Sequence, residues 1–213
     1  MQDFSKYQEK INVDASDDWL RIVHYDEQGE LRVLAALLVR FGEISFEQAF
    51  HMVSEMPEDE MKNLADLFLG KLGDHDIPLR ELEYANLTAE IILDQGAYFE
   101  LKRHRMMSQT PQRFTARLGF ATPRLIAEAG LLDAFTADMH AVEDAYEQLR
   151  KANPEAAAYI LPNAFNRRVL IQTNLRSALH FVKLRSAPNA HFAIRRVAQR
   201  LACEIRQCFP LFA

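Results

Sequence analysis

The sequence has 213 residues, 49% hydrophobic and 26% charged, with a formal net charge of −5, an ordinary globular composition large enough for one well-buried core. The start, MQDFSKYQEKINVDASDDW, lacks the basic-then-apolar layout of a signal peptide, and no apolar run reaches the roughly 18–20 residues of a membrane span, so a soluble, cytoplasmic chain is expected. Cys203 and Cys208 lie five apart in one predicted helix, which is neither metal-type spacing nor an obvious disulfide pair.

Residues 1–18 are polar, and 19–213 read as one domain. Trp19 to Tyr25 is rich in strand formers and is followed by the turn-like DEQG; LRVLAALLVRF is then a buried strand or the start of a helix. Helices are predicted over Phe46 to Met56 and over Asp59 to Leu72, the second stopped by Gly73. ELEYANLTAEI, from Glu81, alternates as a strand with Leu82, Tyr84, Asn86 and Thr88 on one face, and a helix follows as far as His104. Pro123 opens a short helix ended by Gly130. Leu131 to Lys151 is a long amphipathic helix whose apolar face is Leu132, Phe135, Met139, Val142, Tyr146 and Leu149. Arg168 to Thr173 is a second strand, and helices over Asn174 to Arg185 and Asn189 to Cys208 finish the chain. The expected class is α+β: a helix-rich domain around a small, mostly antiparallel sheet.

Charge is distributed unevenly along this framework. Residues 1–100 hold eight of the 25 Lys and Arg; residues 101–125 hold six with no acid, and 159–213 hold nine against Glu204 alone. Two such segments attract phosphate. In ELKRHRMMSQTPQRF the cations cluster near a predicted helix end, where they also complement exposed carbonyls. In a helix Arg103, His104 and Arg105 would point about 100° apart. Residues 174–185, NLRSALHFVKLR, set a stripe of Leu175, Leu179 and Val182 beside a second face of Arg176, His180 and Lys183, with Asn174 and Arg185 on a third. Two polar faces suit a helix touching two ligands, or one in an oligomer interface. No HExxH, GxGxxG or GxxxxGKS motif is present, and no metal site is expected.

The ordered motifs resemble those of the flavin-dependent thymidylate synthases. Their signature RHRxxSxNxxSxRY is matched by Arg103, His104, Arg105 and Ser108, then by Arg113 and Phe114. His75 in HDIP, Leu161 with Pro162, and NLRSALHFVKLR followed by NAHFAIR match further family segments in order, so the resemblance covers roughly residues 19–210. It implies methylation of deoxyuridylate (dUMP) to thymidylate on bound FAD, with methylenetetrahydrofolate as carbon donor and NADPH as reductant. A sheet flanked by helices and a homotetramer with shared sites are implied too. So are flavin contacts by His75, Arg103, His104, Arg105, Asn174, Arg176 and His180. For dUMP the resemblance implies Ser108 and Arg113, with Arg185 contacting and polarising the pyrimidine.

Departures concentrate on the nucleotide side. The segment between Ser108 and Arg113 is two residues short, Thr110 stands at the Asn position, and Pro111 stiffens the loop. Glu100 stands for a glutamine, Ala158 for an arginine ahead of LP, Ile77 for a hydroxyl residue, and Ala193 for the glutamate of AQxE. Arg80 and Glu81 stand where the family has EH. Three functions therefore stay open: a working synthase, a weak or inactive paralogue that keeps the fold and assists a true synthase or synthase domain, and a nucleic-acid binder. Against the last stand the missing aromatic interleaving and a pI of about 5.8.

Overall fold

The computed structural model describes residues 18–70, 73 and 76–212. His75 and all of the expected polar segment 1–18 except Asp18 lie outside the described residues. The first strand, β1 (Leu20–Tyr25), pairs antiparallel with β2 (Asn86–Asp94); β2 pairs with β4 (Asn166–Asn174), and β4 with the short β3 (Ser108–Pro111). The sheet order is β1-β2-β4-β3. Pro111 ends β3 on the sheet edge, a place where a residue without an N–H is tolerated.

LRVLAALLVRF lies within a helix, α1 (Gly29–Phe41), with Val33, Leu34 and Leu37 fully buried. Its start is tight: a Cβ on Gly29 would sit 2.9 Å from the Ala85 Cβ, so glycine admits the close approach to the segment just ahead of β2. Helix α2 (Phe46–Ser54) opens with a reciprocal Ser45–Gln48 capping box. Helix α3 (Glu58–Leu69) ends at Gly70, whose N–H donates to the Asp66 carbonyl, earlier than the expected stop at Gly73.

Two expectations about the next segment need correction. Residues Arg80–Tyr84 form a 3-10 turn, and the strand proper begins at Asn86. Its buried face is Leu87, Ala89, Ile91 and Leu93, the opposite parity to the expected Asn86 and Thr88. The alternation slips by one residue at Ala85, where turn passes into strand. Helix α4 (Gln95–Leu101), capped by Asp94 accepting from the Ala97 N–H at 2.8 Å, stops three residues short of His104 because Leu101 is fully buried and the chain turns there.

Beyond the sheet, α5 (Arg124–Glu128) closes on Gly130 at φ 71°, with the Leu131 N–H returning to the Ile126 carbonyl at 3.1 Å. Helix α6 (Leu132–Ala152) follows as predicted, then α7 (Pro154–Ala157). Met139, Tyr146, Ala157, Leu161 and Phe165 form a small core there, whereas Leu132 and Leu149, at the ends of the expected apolar face, are exposed.

The principal core lies where the sheet meets α8 (Leu175–Arg185) and α9 (Phe192–Cys208). The fully buried residues of α8 are Leu175, Ala178 and Phe181, so the core stripe is centred one position from the expected Leu175, Leu179 and Val182; the latter two are only partly buried. Both cysteines are free on α9, where burial pushes the Cys208 thiol up. Among the described residues no helix is long and apolar enough to cross a membrane.

Candidate functional site

Two strand-to-helix units build the site. In each, a strand ends on a residue whose side chain caps the next helix: Asp94 for α4, and Asn174 for α8 through acceptance from the Ser177 N–H at 2.8 Å. After α4 the chain folds into a turn holding Arg103, His104 and Arg105, closed by bonds from the His104 N–H to the Leu101 carbonyl and from the Met107 N–H to the His104 carbonyl. Met107, 6% exposed, anchors this turn in the core, whereas Met106 is 76% exposed. Gln109 on β3 braces it from outside, its amide donating to the Leu101 and His104 carbonyls at 3.1 Å each.

Against this turn lies the polar face of α8, and between them is a cleft of about 940 Å³. Arg103, His104 and Arg105 line one side, Arg176, His180 and Lys183 the other, with Asp76, Ile77 and Pro78 also in the lining and Leu179 and Leu184 as apolar wall. Arg176 also ties the segment ahead of β2 to the helix: its Nε donates to the Pro78 carbonyl at 2.9 Å and its Nη1 to Glu83 at 2.8 Å. Hydrogen bonding from Arg80, with Arg176 assisting, holds the Glu83 carboxyl below the usual range.

His104 is the chemically distinctive group. Its ring packs edge-on to Phe181 with centroids 4.8 Å apart, and its Nε2 accepts from the Arg185 Nε at 2.9 Å. A guanidinium only donates, so Nε2 is unprotonated and the proton of the neutral ring sits on Nδ1. Burial first, then the Arg185 charge, lowers its pKa from 6.5 to about 4. The folded form thus resists a proton that the unfolded chain takes up. This contribution to stability is present above pH 6.5 and is lost progressively as pH falls toward about 4. An NMR titration of the His104 imidazole is expected to give a midpoint near 4; a midpoint at or above 6.5 overturns the assignment.

Of the residues anticipated from sequence, Arg103, His104, Arg105, Arg176 and His180 meet in the cleft. Asn174 stands at the head of α8 with its side-chain oxygen engaged in capping. Ser108 and Arg113 are exposed, Ser108 on β3 and Arg113 just beyond it, and neither lines the cleft. Arg185 lies behind His104, 20% exposed, bonded to Glu100 at 2.9 Å. Gln109 and Glu83, which brace the site, were not anticipated: no local motif marks them, and the contacts that tie them to the site reach 5 to 93 positions along the chain, whereas Pro78, the proline of HDIP, stood in a matched motif with no sign that its carbonyl would hold Arg176.

Fold and cleft together define an α+β protein with a cationic, imidazole-bearing cleft between a sheet-edge turn and a helix. The chain matches the family model of the thymidylate synthase complementing proteins over residues 21–211, and it belongs to that family. It is 28% identical over 195 residues to a UPF0159 protein of Chlamydia muridarum, covering 91% of this chain and 37% of that one. A UPF0159 protein of Thermoplasma acidophilum is 30% identical over 203 residues, covering 91% of this chain and 40% of that one; the chain thus spans about two fifths of these relatives' length. The flavin-dependent thymidylate synthase of Geobacter sulfurreducens is 32% identical over 139 residues, 61% of this chain and 60% of that enzyme. The solved UMP/dUMP methylase PolB from Streptomyces cacaoi, bound with 5-Br dUMP, shares the fold, with a TM-score of 0.71, 17% identity and 91% coverage of both chains.

Proposed function

We propose that the chain binds FAD in the cleft between the 103–105 turn and α8 and acts in reductive methylation of dUMP to thymidylate, with methylenetetrahydrofolate and NADPH as co-substrates. The observation that carries this reading is the convergence of Arg103, His104, Arg105, Arg176 and His180 on one cleft. Its volume of about 940 Å³ lies near the upper end of the ~300–1,000 Å³ usual for ligand clefts, which suits an extended dinucleotide. The donor set fits too: guanidinium forks grip a diphosphate bidentately, and the apolar wall of Leu179 and Leu184 suits a ring system. Membership of the family and kinship at about 30% identity with flavin-dependent thymidylate synthases support the same reading.

Within it, Arg103, Arg105 and Arg176 hold the diphosphate, and neutral His104 donates from Nδ1 or stacks without adding charge. His180 completes the cofactor side with His75, while Asn174 acts by fixing the start of α8. When bound and reduced, the flavin supplies the hydride, so no cysteine nucleophile is required. Ser108, Arg113 and Arg185 are the groups assigned to dUMP, in a homotetramer whose sites are shared between subunits. That the fold neighbour is a UMP/dUMP methylase supports a uridylate-type substrate.

A second reading, a weak or inactive paralogue that keeps the fold, with or without FAD, and assists a true synthase or a paralogous synthase domain, is favoured by one observation. Arg185 is engaged by Glu100, and neither it nor Ser108 nor Arg113 lines the cleft. Titration with FAD, followed by dUMP under reducing conditions with release of tritium from labelled dUMP, separates the readings. A flavin spectrum plus tritium release is the result expected of a synthase; flavin binding without release identifies the paralogue. Failure to bind FAD overturns the synthase reading and means that the kinship preserves fold rather than function.

A further inference from the structure

Glu100 holds two guanidinium groups at once. Its Oε1 lies 3.1 Å from Arg103 Nη2, and its Oε2 accepts from Arg185 Nη1 at 2.9 Å. Arg185 spends a second donor, Nε, on His104. The two ends of this bridge differ: the Arg103 side chain is 66% exposed and lines the cleft, whereas Arg185 is 20% and Glu100 22% exposed. The protein itself therefore supplies an anion to the two arginines that flank His104.

We propose that Glu100 is the specificity-determining residue of this site: its carboxylate competes with dUMP for Arg185 and weakens that contact while leaving Arg103 available. The asymmetry in exposure is the reason. A phosphate oxygen, carrying full charge, draws the exposed Arg103 away from Glu100 at little cost, because an exposed ion pair is weak. A neutral carbonyl oxygen, such as a pyrimidine offers, cannot replace a charged carboxylate on the part-buried Arg185. The site thus accepts diphosphates freely on its outer cations and binds dUMP, which also needs Arg185, less tightly than it would without Glu100. This inference rests on the cleft being a nucleotide site, as proposed above.

The test replaces the charge and keeps the shape. In Glu100→Gln, binding of dUMP measured calorimetrically, with and without FAD present, is expected to tighten by about tenfold or more, while FAD affinity changes by less than about threefold. The double variant Glu100→Gln with Arg185→Ala is expected to lose that gain, which separates release of Arg185 from a change in packing. Glu100→Asp, which shortens the reach but keeps the charge, is expected to show a smaller gain and carries the test if Glu100→Gln does not fold. Unchanged or weaker dUMP binding in the folded variants overturns the proposal, as does a gain that survives removal of Arg185. The two readings fail separately: absence of FAD binding by the unmodified chain strikes the cofactor assignment, and absence of a dUMP gain strikes Glu100.

Discussion

Phe181→Ala is expected to lower the unfolding free energy by about 3–5 kcal/mol, the range for emptying a fully packed aromatic position. Phe181 is fully buried at the centre of α8, where the helix meets the sheet, and its ring also forms the wall behind His104. One substitution therefore acts on both packing and electrostatics. Desolvation is the largest cause of the low His104 pKa, so loss of the ring that shields the imidazole is expected to return that pKa toward 6.5. Denaturant unfolding checks the first effect and an NMR titration of His104 the second. A loss below about 1 kcal/mol, within the range of an ordinary surface change, would show that α8 does not pack on the sheet as described.

Arg176→Ala is expected to weaken FAD binding about 10- to 150-fold, the equivalent of about 1.5–3 kcal/mol for a lost charge-assisted bond. Here too one side chain has two tasks. It faces the cleft, and it ties the segment 78–83 to α8 through the Pro78 carbonyl and Glu83. Arg176→Lys keeps the charge but loses the planar fork, so it is expected to recover only part of the affinity. The Arg176–Glu83 pair, each side chain 29% exposed, contributes at most about 1 kcal/mol to stability, so the binding loss should far exceed any shift in unfolding midpoint. Flavin fluorescence titration of both variants decides the matter. An alanine variant that binds FAD as tightly as the unmodified chain removes Arg176 from the site.

The two effects differ in how visible their causes are in sequence. Arg176 and His180 stand four apart on a strongly patterned helix, so periodicity alone puts them on one face. Phe181 was not placed in the core, because Leu179 and Val182 offered an equally good stripe and only packing on the sheet chose between the two phases. The 81–91 segment misled for a related reason. Apolar residues alternate on both sides of Ala85, but with opposite parity, and nothing local announces that a 3-10 turn gives way to a strand there. The extent of α4 was equally hidden. No glycine or proline follows Gly96 until Pro111, so the end at Leu101 is set by that side chain's burial and by Gln109 bracing the turn beyond it.

By itself the sequence determined the α+β class, the long α6, the strands at 19–25 and 168–173, and the two cationic segments that come to face the cleft, because hydrophobic period and charge clusters are local properties. Tertiary structure alone decided what those charges do. Arg185 meets Glu100 and His104 across 85 and 81 positions, and Arg176 reaches Pro78 across 98. A side chain's charge is fixed by its type, but its partner, its burial and hence its availability to a ligand depend on which distant elements the core packs together. That is why an RHR run could be read as an anion site, while the carboxylate that governs one of its neighbours could be seen only in the folded chain.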